Sequence, residues 1–304
     1  MRLIPLSRLA LLVTICAVLC AGCSLKTMAV KTVADTLSDT GDVFSRDNDP
    51  ELIRDAIPFA LKLYESLLDS VPNHAPLLVA TCSGFTKYAY AFVQTDADVV
   101  RESNYEQAIA LDARALNLYL RGRDYCLKAL ELRFPGAAGK LTADGVAALS
   151  RAQPKDVELL YWTAASWGSA IALGPDRPDL LIDFPAVRAL IDRAAALDDT
   201  WAAGSIHEML ITFESLESLG GTREKAREHF ARAVEIQGGK SPGPYVALAT
   251  GVSVAAQDRA EFLKLLEQAL AIDPEGTPSN RLVTLITQRR ARALQANVDS
   301  LFAQ

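Results

Sequence analysis

The sequence predicts an all-α protein built from stacked helical hairpins, and three observations support this prediction. After Pro50, apolar residues recur at intervals of three and four positions, which is the period of a helix face. Almost no segment alternates with the two-residue period of a strand. Proline and glycine fall between the apolar segments, where helices end.

The first element is an N-terminal segment that has the features of a bacterial lipoprotein signal. Arg2 and Arg8 flank a short apolar run over residues 9–19, and small residues then precede Cys23. An apolar run of this length is too short to span a bilayer with margin, so it favours a cleaved signal peptide over residues 1–22. Cys23 is then the predicted lipidation site. The alternative is an uncleaved N-terminal anchor helix.

Two further segments follow the predicted signal. Residues 23–49 are polar and end in an Asp-Asn-Asp-Pro turn, which predicts a tether, and residues 50–304 form the predicted helical domain. Ser24 stands where some bacteria place the aspartate that retains lipoproteins in the inner membrane. The predicted location is therefore the periplasmic side of the cell envelope, at the outer membrane, with the lipid as the membrane anchor.

A fixed spacing repeats within the helical segments. Ala60, Tyr64, Leu67 and Pro72 lie at offsets of 0, 4, 7 and 12 residues. The same offsets recur, completely or in part, in Phe262, Leu266, Ala269 and Pro274, in Ala226, Phe230 and Ala233, and in Leu127, Leu130 and Pro135. A small residue lets the paired helix approach, two apolar residues fill the seam, and proline ends the helix. This pattern is typical of the second helix of a tetratricopeptide-like hairpin, in degenerate form.

Charge and cysteine content exclude several classes of protein. The chain carries a net charge of −6, and the predicted signal would remove two arginines and no acidic residue. Such a balance argues against nucleic acid as a partner, because phosphates need a basic face.

Two of the five cysteines, Cys82 and Cys126, remain for the fold once the predicted signal and lipidation site are set aside. They can pair in an oxidising compartment, but their apolar helical surroundings favour two buried free thiols.

The sequence contains no set of residues that predicts catalysis or a cofactor. His74, His207 and His229 are isolated from one another, and no metal-ligand spacing or phosphate-binding glycine loop is present. Two interpretations of residues 220–223 are possible: a loop that binds an anion at a helix N-terminus, or a hairpin turn with Thr222 as N-cap. The hairpin turn is favoured. The chain is therefore predicted not to be an enzyme and to carry no metal.

Two clusters are candidates for binding. Tyr161, Trp162 and Trp167 share a helix with many small residues, so they can line a cavity between helices, although plain core packing is the stronger alternative. Three arginines, Arg289, Arg290 and Arg292, lie on the last long helix. They can contact an acidic partner, and the alternative is a solvated face or ion pairs within the chain.

The order and spacing of many short motifs resemble the T-component (TatT) family of tripartite ATP-independent periplasmic (TRAP) transporters. The motifs that carry the resemblance are Arg114-Ala115, Leu118-Tyr119-Leu120-Arg121, Asp124-Tyr125, Tyr161-Trp162, Ala164-Ala165, Trp167, Arg193-Ala194, Leu197-Asp198, Gly204, Ile206-His207, His229-Phe230, Arg232-Ala233, Phe262, Leu265-Leu266, Asp273-Pro274, Arg281-Leu282, Gln288-Arg289, Ala291 and Leu301-Phe302. The resemblance implies a lipid-anchored homotrimer that docks the periplasmic solute-binding subunit of a TRAP system and has an internal cavity in each subunit.

The leading functional hypothesis is a non-enzymatic accessory of solute uptake. It would hold a solute-binding subunit near the membrane and bind a hydrophobic or organic-acid solute. The competing hypothesis is a tetratricopeptide-type scaffold lipoprotein in envelope assembly, whose helix faces bind extended peptides. A pull-down separates the two, because the first predicts a solute-binding subunit and the second an envelope assembly factor.

Overall fold

A computed structural model of the protein describes residues 28–37 and 41–302. The chain is 80% helical, and no strand occurs in these two ranges, so the predicted all-α class is confirmed. The predicted signal peptide and Cys23 lie outside the described residues. Within them, no helix combines the length and the apolar character needed to cross a membrane.

The helices are introduced here in chain order. The first eight are α1 (28–37), α2 (Gly41–Ser45), α3 (Pro50–Ser70), α4 (Ala75–Tyr88), α5 (Thr95–Val100), α6 (Tyr105–Arg133), α7 (Leu141–Ala148) and α8 (Val157–Leu173). They are followed by α9 (Pro178–Leu181), α10 (Phe184–Leu197), α11 (Trp201–Glu214), α12 (Arg223–Gln237), α13 (Gly243–Leu248), α14 (Arg259–Leu270), α15 (Arg281–Ala296) and α16 (Val298–Leu301). Two short π-helical segments, Ala89–Gln94 and Ala249–Ser253, continue α4 and α13.

Local sequence signals set the start of several helices. Asp49 caps α3 by accepting hydrogen bonds from the backbone N–H groups of Glu51 and Leu52, and Pro50 occupies the first helical position, where its missing N–H has no consequence. Thr222 caps α12 through its hydroxyl, which accepts from the N–H of Lys225. The hairpin turn predicted for residues 220–223 is therefore confirmed.

Helix α1 lies within the segment predicted as a tether, and it packs on the body. Ala34 is fully buried in the main core, and Asp35 lies 2.9 Å from the Nε2 atom of His74. The other ring nitrogen of His74 accepts a hydrogen bond from the N–H of Leu77 and so caps α4. One histidine thus connects α1 to the α3–α4 turn.

The seam residues named by the repeated spacing are mostly buried. Phe262, Leu266 and Ala269 on α14 are fully buried, as are Ala226 and Ala233 on α12. Burial of aliphatic and aromatic side chains is the main stabilising contribution of such a seam, at about 2 kcal/mol for each large side chain. The buried side of these two helices therefore follows the predicted pattern.

The prediction of two free thiols is wrong, because Cys82 and Cys126 form a disulfide between α4 and α6. The cause is the close approach of these helices. A Cβ atom on Gly122 would lie 3.1 Å from both the carbonyl oxygen of Cys82 and the hydroxyl of Thr86, so glycine here favours this short separation of the two helices. Cys126 follows Gly122 by one helical turn on the same face, which brings its Cα within 5.5 Å of that of Cys82.

Helix α11 begins with an unusual backbone. Ala202, Ala203 and Gly204 have φ angles of 47°, 53° and 80°, which place three successive residues in the left-handed region. This conformation costs an L-residue about 1–2 kcal/mol, whereas glycine adopts it freely. The surrounding structure must therefore compensate for two strained alanines at the start of the helix that carries His207 and Glu208.

Candidate functional site

The aromatic residues on α8 separate into two environments. Trp167 is 5% exposed and belongs to the main core cluster, and its indole N–H has no hydrogen-bond partner among the described residues. Tyr161 and Trp162 are half-buried, and their rings meet edge to face with centroids 4.9 Å apart. The ring of Trp162 lies beneath the ammonium group of Lys87, while the ring of Tyr161 lies 4.7 Å from that of Trp201 on α11.

Glu208 on α11 faces the same interior region as Tyr161. Its side chain is half-buried, yet desolvation by the surrounding protein raises its pKa from the ordinary value of 4.5 to about 7. Its carboxylate has no hydrogen-bond or ion-pair partner within the described ranges. The protein therefore surrounds this carboxyl group closely enough to desolvate it, while part of the side chain stays accessible.

Glycine on α13 makes room for this carboxylate. A Cβ atom on Gly243 would clash with both carboxylate oxygens of Glu208, so the carboxylate lies directly against the backbone of α13. Glycine at this position thus lets the carboxylate keep its place against α13, since any larger residue would displace it.

Arg290 on α15 supplies the positive charge that faces Glu208. Its Nε atom lies 2.8 Å from Asp98, and a terminal nitrogen donates to the hydroxyl of Tyr90 over 3.1 Å. Although burial opposes its charged form, Tyr90 and Asp98 raise the pKa of Arg290. Arg290 also acts on Glu208, since its charge lowers the pKa of the carboxyl against the effect of desolvation.

A π-helical segment presents the fourth side chain of this region. Tyr90 lies in the π-helical turn Ala89–Gln94, where one extra residue per turn re-aims side chains. Burial, followed by the charge of Glu208 and then by Tyr90, raises the pKa of Tyr161, so the three groups share one electrostatic environment. We call Glu208, Tyr161, Tyr90, Arg290 and Gly243 the Glu208 site.

A pair of histidines lies beside the Glu208 site. The Nδ1 atoms of His207 and His229 are 2.9 Å apart, and the Nε2 atom of His207 lies 3.4 Å from Asp199. Burial, and then the proximity of His207, lower the pKa of His229. No cluster of three or more metal-ligating side chains occurs in residues 28–37 and 41–302. This pair therefore joins α11 to α12 as a hydrogen-bonded contact.

The three arginines of α15 occupy different environments. Arg290 is directed inward, and Arg289 lies 2.9 Å from Asp96. Arg292 is exposed and makes no ion pair within the described ranges. A role in partner contact remains a prediction for all three, and Arg292 is the one whose charge is free for it.

Two residues of this site were singled out from the sequence, Tyr161 as a candidate cavity lining and Arg290 as a candidate partner contact. Sequence reasoning missed Glu208, Tyr90, Gly243 and the contact between His207 and His229. Glu208 is one acidic residue among 37 in the chain, and nothing in its local sequence sets it apart. The pairing of the two histidines follows from the packing of α11 on α12. One usable signal was the helical hairpin around residues 220–223, because it places His207 and His229 on neighbouring helices.

Together, these features define an all-α protein whose helices converge on a carboxyl without a partner in the described structure, two tyrosines and an arginine. The chain belongs to the T-component family of TRAP transporters, whose model matches residues 46–302. This family is an accessory component of a transporter, so membership implies association with a TRAP system and indicates a place in the cell envelope.

A relative from Treponema pallidum (strain Nichols) is similar over most of the chain. It is 33% identical over 304 aligned residues, which cover 93% of this chain and 94% of the relative, and it is described as an uncharacterized protein. The similarity extends over nearly the full length of both proteins, so the whole helical body is shared.

Proposed function

We propose that the protein is a lipid-anchored T-component that docks the periplasmic solute-binding subunit of its TRAP transporter as a homotrimer. The observation that carries the proposal is the family match over residues 46–302. The Glu208 site then binds the solute, a hydrophobic compound or an organic acid, between α8, α11, α13 and α15. Arg292, together with Arg289, contacts the docked subunit or a neighbouring copy.

Sedimentation velocity of the lipidated full-length protein in detergent, alone and with its cognate solute-binding subunit, tests this proposal. The expected result is a trimer that gains mass when the subunit is added. Arg292→Glu should weaken the complex by about tenfold, because a reversed charge at an interface rim opposes association. Arg151→Glu is the matched control, since Arg151 is also exposed and unpaired in the described structure. A monomer that ignores the subunit would contradict the proposal and favour the envelope scaffold.

The lipid anchor is tested separately. Cys23→Ser removes the thiol that would carry the diacylglycerol, so the variant should be released from membranes or remain unprocessed. A processed Cys23→Ser variant that still sediments with membranes would exclude lipidation as the anchor. Outer-membrane placement predicts that the wild-type protein co-fractionates with outer-membrane vesicles in a sucrose gradient.

We also propose that the helical pairs stack in the manner of tetratricopeptide hairpins. Small buried residues support this, because Ala226 and Ala233 on α12 and Ala269 on α14 allow neighbouring helices to approach. Experimental coordinates would test it directly, through the angle and order in which successive pairs pack.

A further inference from the structure

The Glu208 site contains two opposite charges that do not pair with each other. Arg290 is close enough to affect the ionisation of Glu208, yet no ion pair within 4.0 Å joins them in the described structure. Arg290 instead pairs with Asp98, and Asp98 lies 3.5 Å from Arg101, which pairs with Asp112. The two arginines and two aspartates of this chain of ion pairs neutralise one another. The negative charge of Glu208 is therefore not neutralised by Arg290.

A half-buried carboxylate that is desolvated and has no partner is unfavourable, and a ligand that supplies a positive charge removes this penalty. A second carboxylate placed beside Glu208 would instead add repulsion. The ring of Tyr161, which packs against that of Trp201, belongs to the same electrostatic environment as the carboxylate, and an aromatic ring near the site also favours a cation. Arg290 holds Asp98 through its Nε atom and the hydroxyl of Tyr90 through one terminal nitrogen. Its second terminal nitrogen has no hydrogen-bond partner among the described residues, so it can donate to a carboxylate of the same ligand.

We infer that the Glu208 site binds a small zwitterionic solute of the amino-acid type, with its ammonium group at Glu208 and its carboxylate toward Arg290. This inference rests on the proposed solute-binding function, and it narrows the solute from organic acids in general to those that also carry an ammonium group. Tyr90 and Tyr161 offer hydroxyl groups to the polar end of the solute.

Three probes with a common carbon skeleton test the charge requirement. L-leucine carries both charges, 3-methylbutylamine carries only the ammonium, and 4-methylpentanoate carries only the carboxylate. Isothermal titration with the lipidated full-length protein should rank leucine first, the amine second and the acid last. Glycine betaine serves as a second zwitterion with a permanent positive charge. Leucine should exceed the acid by at least about tenfold, as expected for a charge pair formed in an enclosed site.

The variant Glu208→Gln keeps the shape of the side chain and removes its charge. It should weaken leucine binding by at least about tenfold. Glu267→Gln is the matched control, because Glu267 is exposed on α14 and lies outside the Glu208 site. Far-ultraviolet circular dichroism confirms that both variants are folded, so a loss of binding reports on the carboxylate.

The pH dependence gives an independent readout. Glu208 has a pKa of about 7, so its ionised fraction and the affinity for leucine should rise about tenfold from pH 6 to pH 8. The ionisable groups facing Glu208 are Arg290 on α15 and Tyr161 on α8, while α13 presents backbone at Gly243. From α12, His229 contacts the adjacent His207, so any pH dependence that persists in Glu208→Gln belongs to the histidine pair.

Two outcomes would overturn the inference. Tighter binding of 4-methylpentanoate than of leucine, or an affinity that falls as pH rises, would mean that protonated Glu208 donates to an acid. Failure of leucine, glycine betaine and the amine to bind would exclude the zwitterion class. Sedimentation with the solute-binding subunit distinguishes this failure from failure of the proposed function, because docking is measured without any solute.

Discussion

Two glutamates in this protein have opposite surroundings. Glu65 on α3 is 9% exposed and receives hydrogen bonds from Arg121, Tyr125 and Lys62. Although desolvation opposes ionisation, these three partners lower the pKa of Glu65. Glu208 on α11 has no such partner, and desolvation raises its pKa to about 7.

The difference separates a charge that holds helices together from one that is left without a partner in the described structure. Around Glu65 the structure is tightly fixed, because the disulfide joins α4 to α6 and each oxygen of the carboxylate is engaged. Around Glu208 the helix begins with left-handed alanines and the carboxylate is left open. Unpaired groups and strained backbone reduce stability, so their presence at Glu208 is the motive for the solute-binding role proposed above.

Removal of the disulfide should have the largest effect on stability. Cys126→Ala opens a crosslink between residues separated by 44 positions, and the loop-entropy relation predicts a loss of about 4 kcal/mol. Chemical denaturation of the variant and of the wild type, each under non-reducing conditions, measures this loss. Ser24→Ala, outside the described body, serves as a control that should leave the midpoint unchanged. Equal stability of the cysteine variant and the wild type would mean that the thiols are not paired in the native protein.

Loss of the Glu65 charge should have the second-largest effect on stability, after removal of the disulfide. Glu65→Gln removes charge-assisted hydrogen bonds to Arg121 and Lys62, so unfolding should become easier by about 2–3 kcal/mol at pH 7. The folded-state pKa of Glu65 is depressed, so its contribution is present above the unfolded value of 4.5 and is lost as pH falls through the folded value. The wild type and the variant should therefore converge in stability at low pH, and a constant difference down to pH 2 would contradict this assignment.

The sequence predicted the helical class and the buried seam because both depend on local periodicity. Phe262 and Leu266 are separated by one helical turn, so their shared face is visible in the chain itself. The Glu208 site could not be predicted in the same way, since Glu208, Tyr90 and Arg290 come from three distant helices. The disulfide was mispredicted for a similar reason, because it depends on the approach that Gly122 allows.

Loss of the Glu208 charge should stabilise the folded protein, whereas loss of the Glu65 charge should destabilise it. Between pH 4.5 and about 7 the unfolded chain releases the proton of Glu208 while the folded protein keeps it, so wild-type stability falls as pH rises. Glu208→Gln removes this penalty and should stabilise the protein by about 1–2 kcal/mol at pH 8, allowing for solvent screening. The difference should vanish near pH 4. A destabilised variant at pH 8 would mean that Glu208 has a partner in the folded protein.

The smallest effect concerns the left-handed start of α11. Ala203 is exposed and has a φ angle of 53°, so Ala203→Gly relieves backbone strain without removing a buried contact. Glycine also gives the unfolded chain more freedom, and the net stabilisation should be about 0.5–1 kcal/mol. Ala231→Gly, at an exposed position on α12, is the control and should be destabilised by about 1 kcal/mol, as in any helix interior. If both substitutions destabilise the protein equally, the first turn of α11 is an ordinary helix. If only Ala203→Gly stabilises the protein, the left-handed backbone at the start of α11 is strained. This strain would then lie on the same helix as Glu208, the carboxylate that the proposed solute would contact.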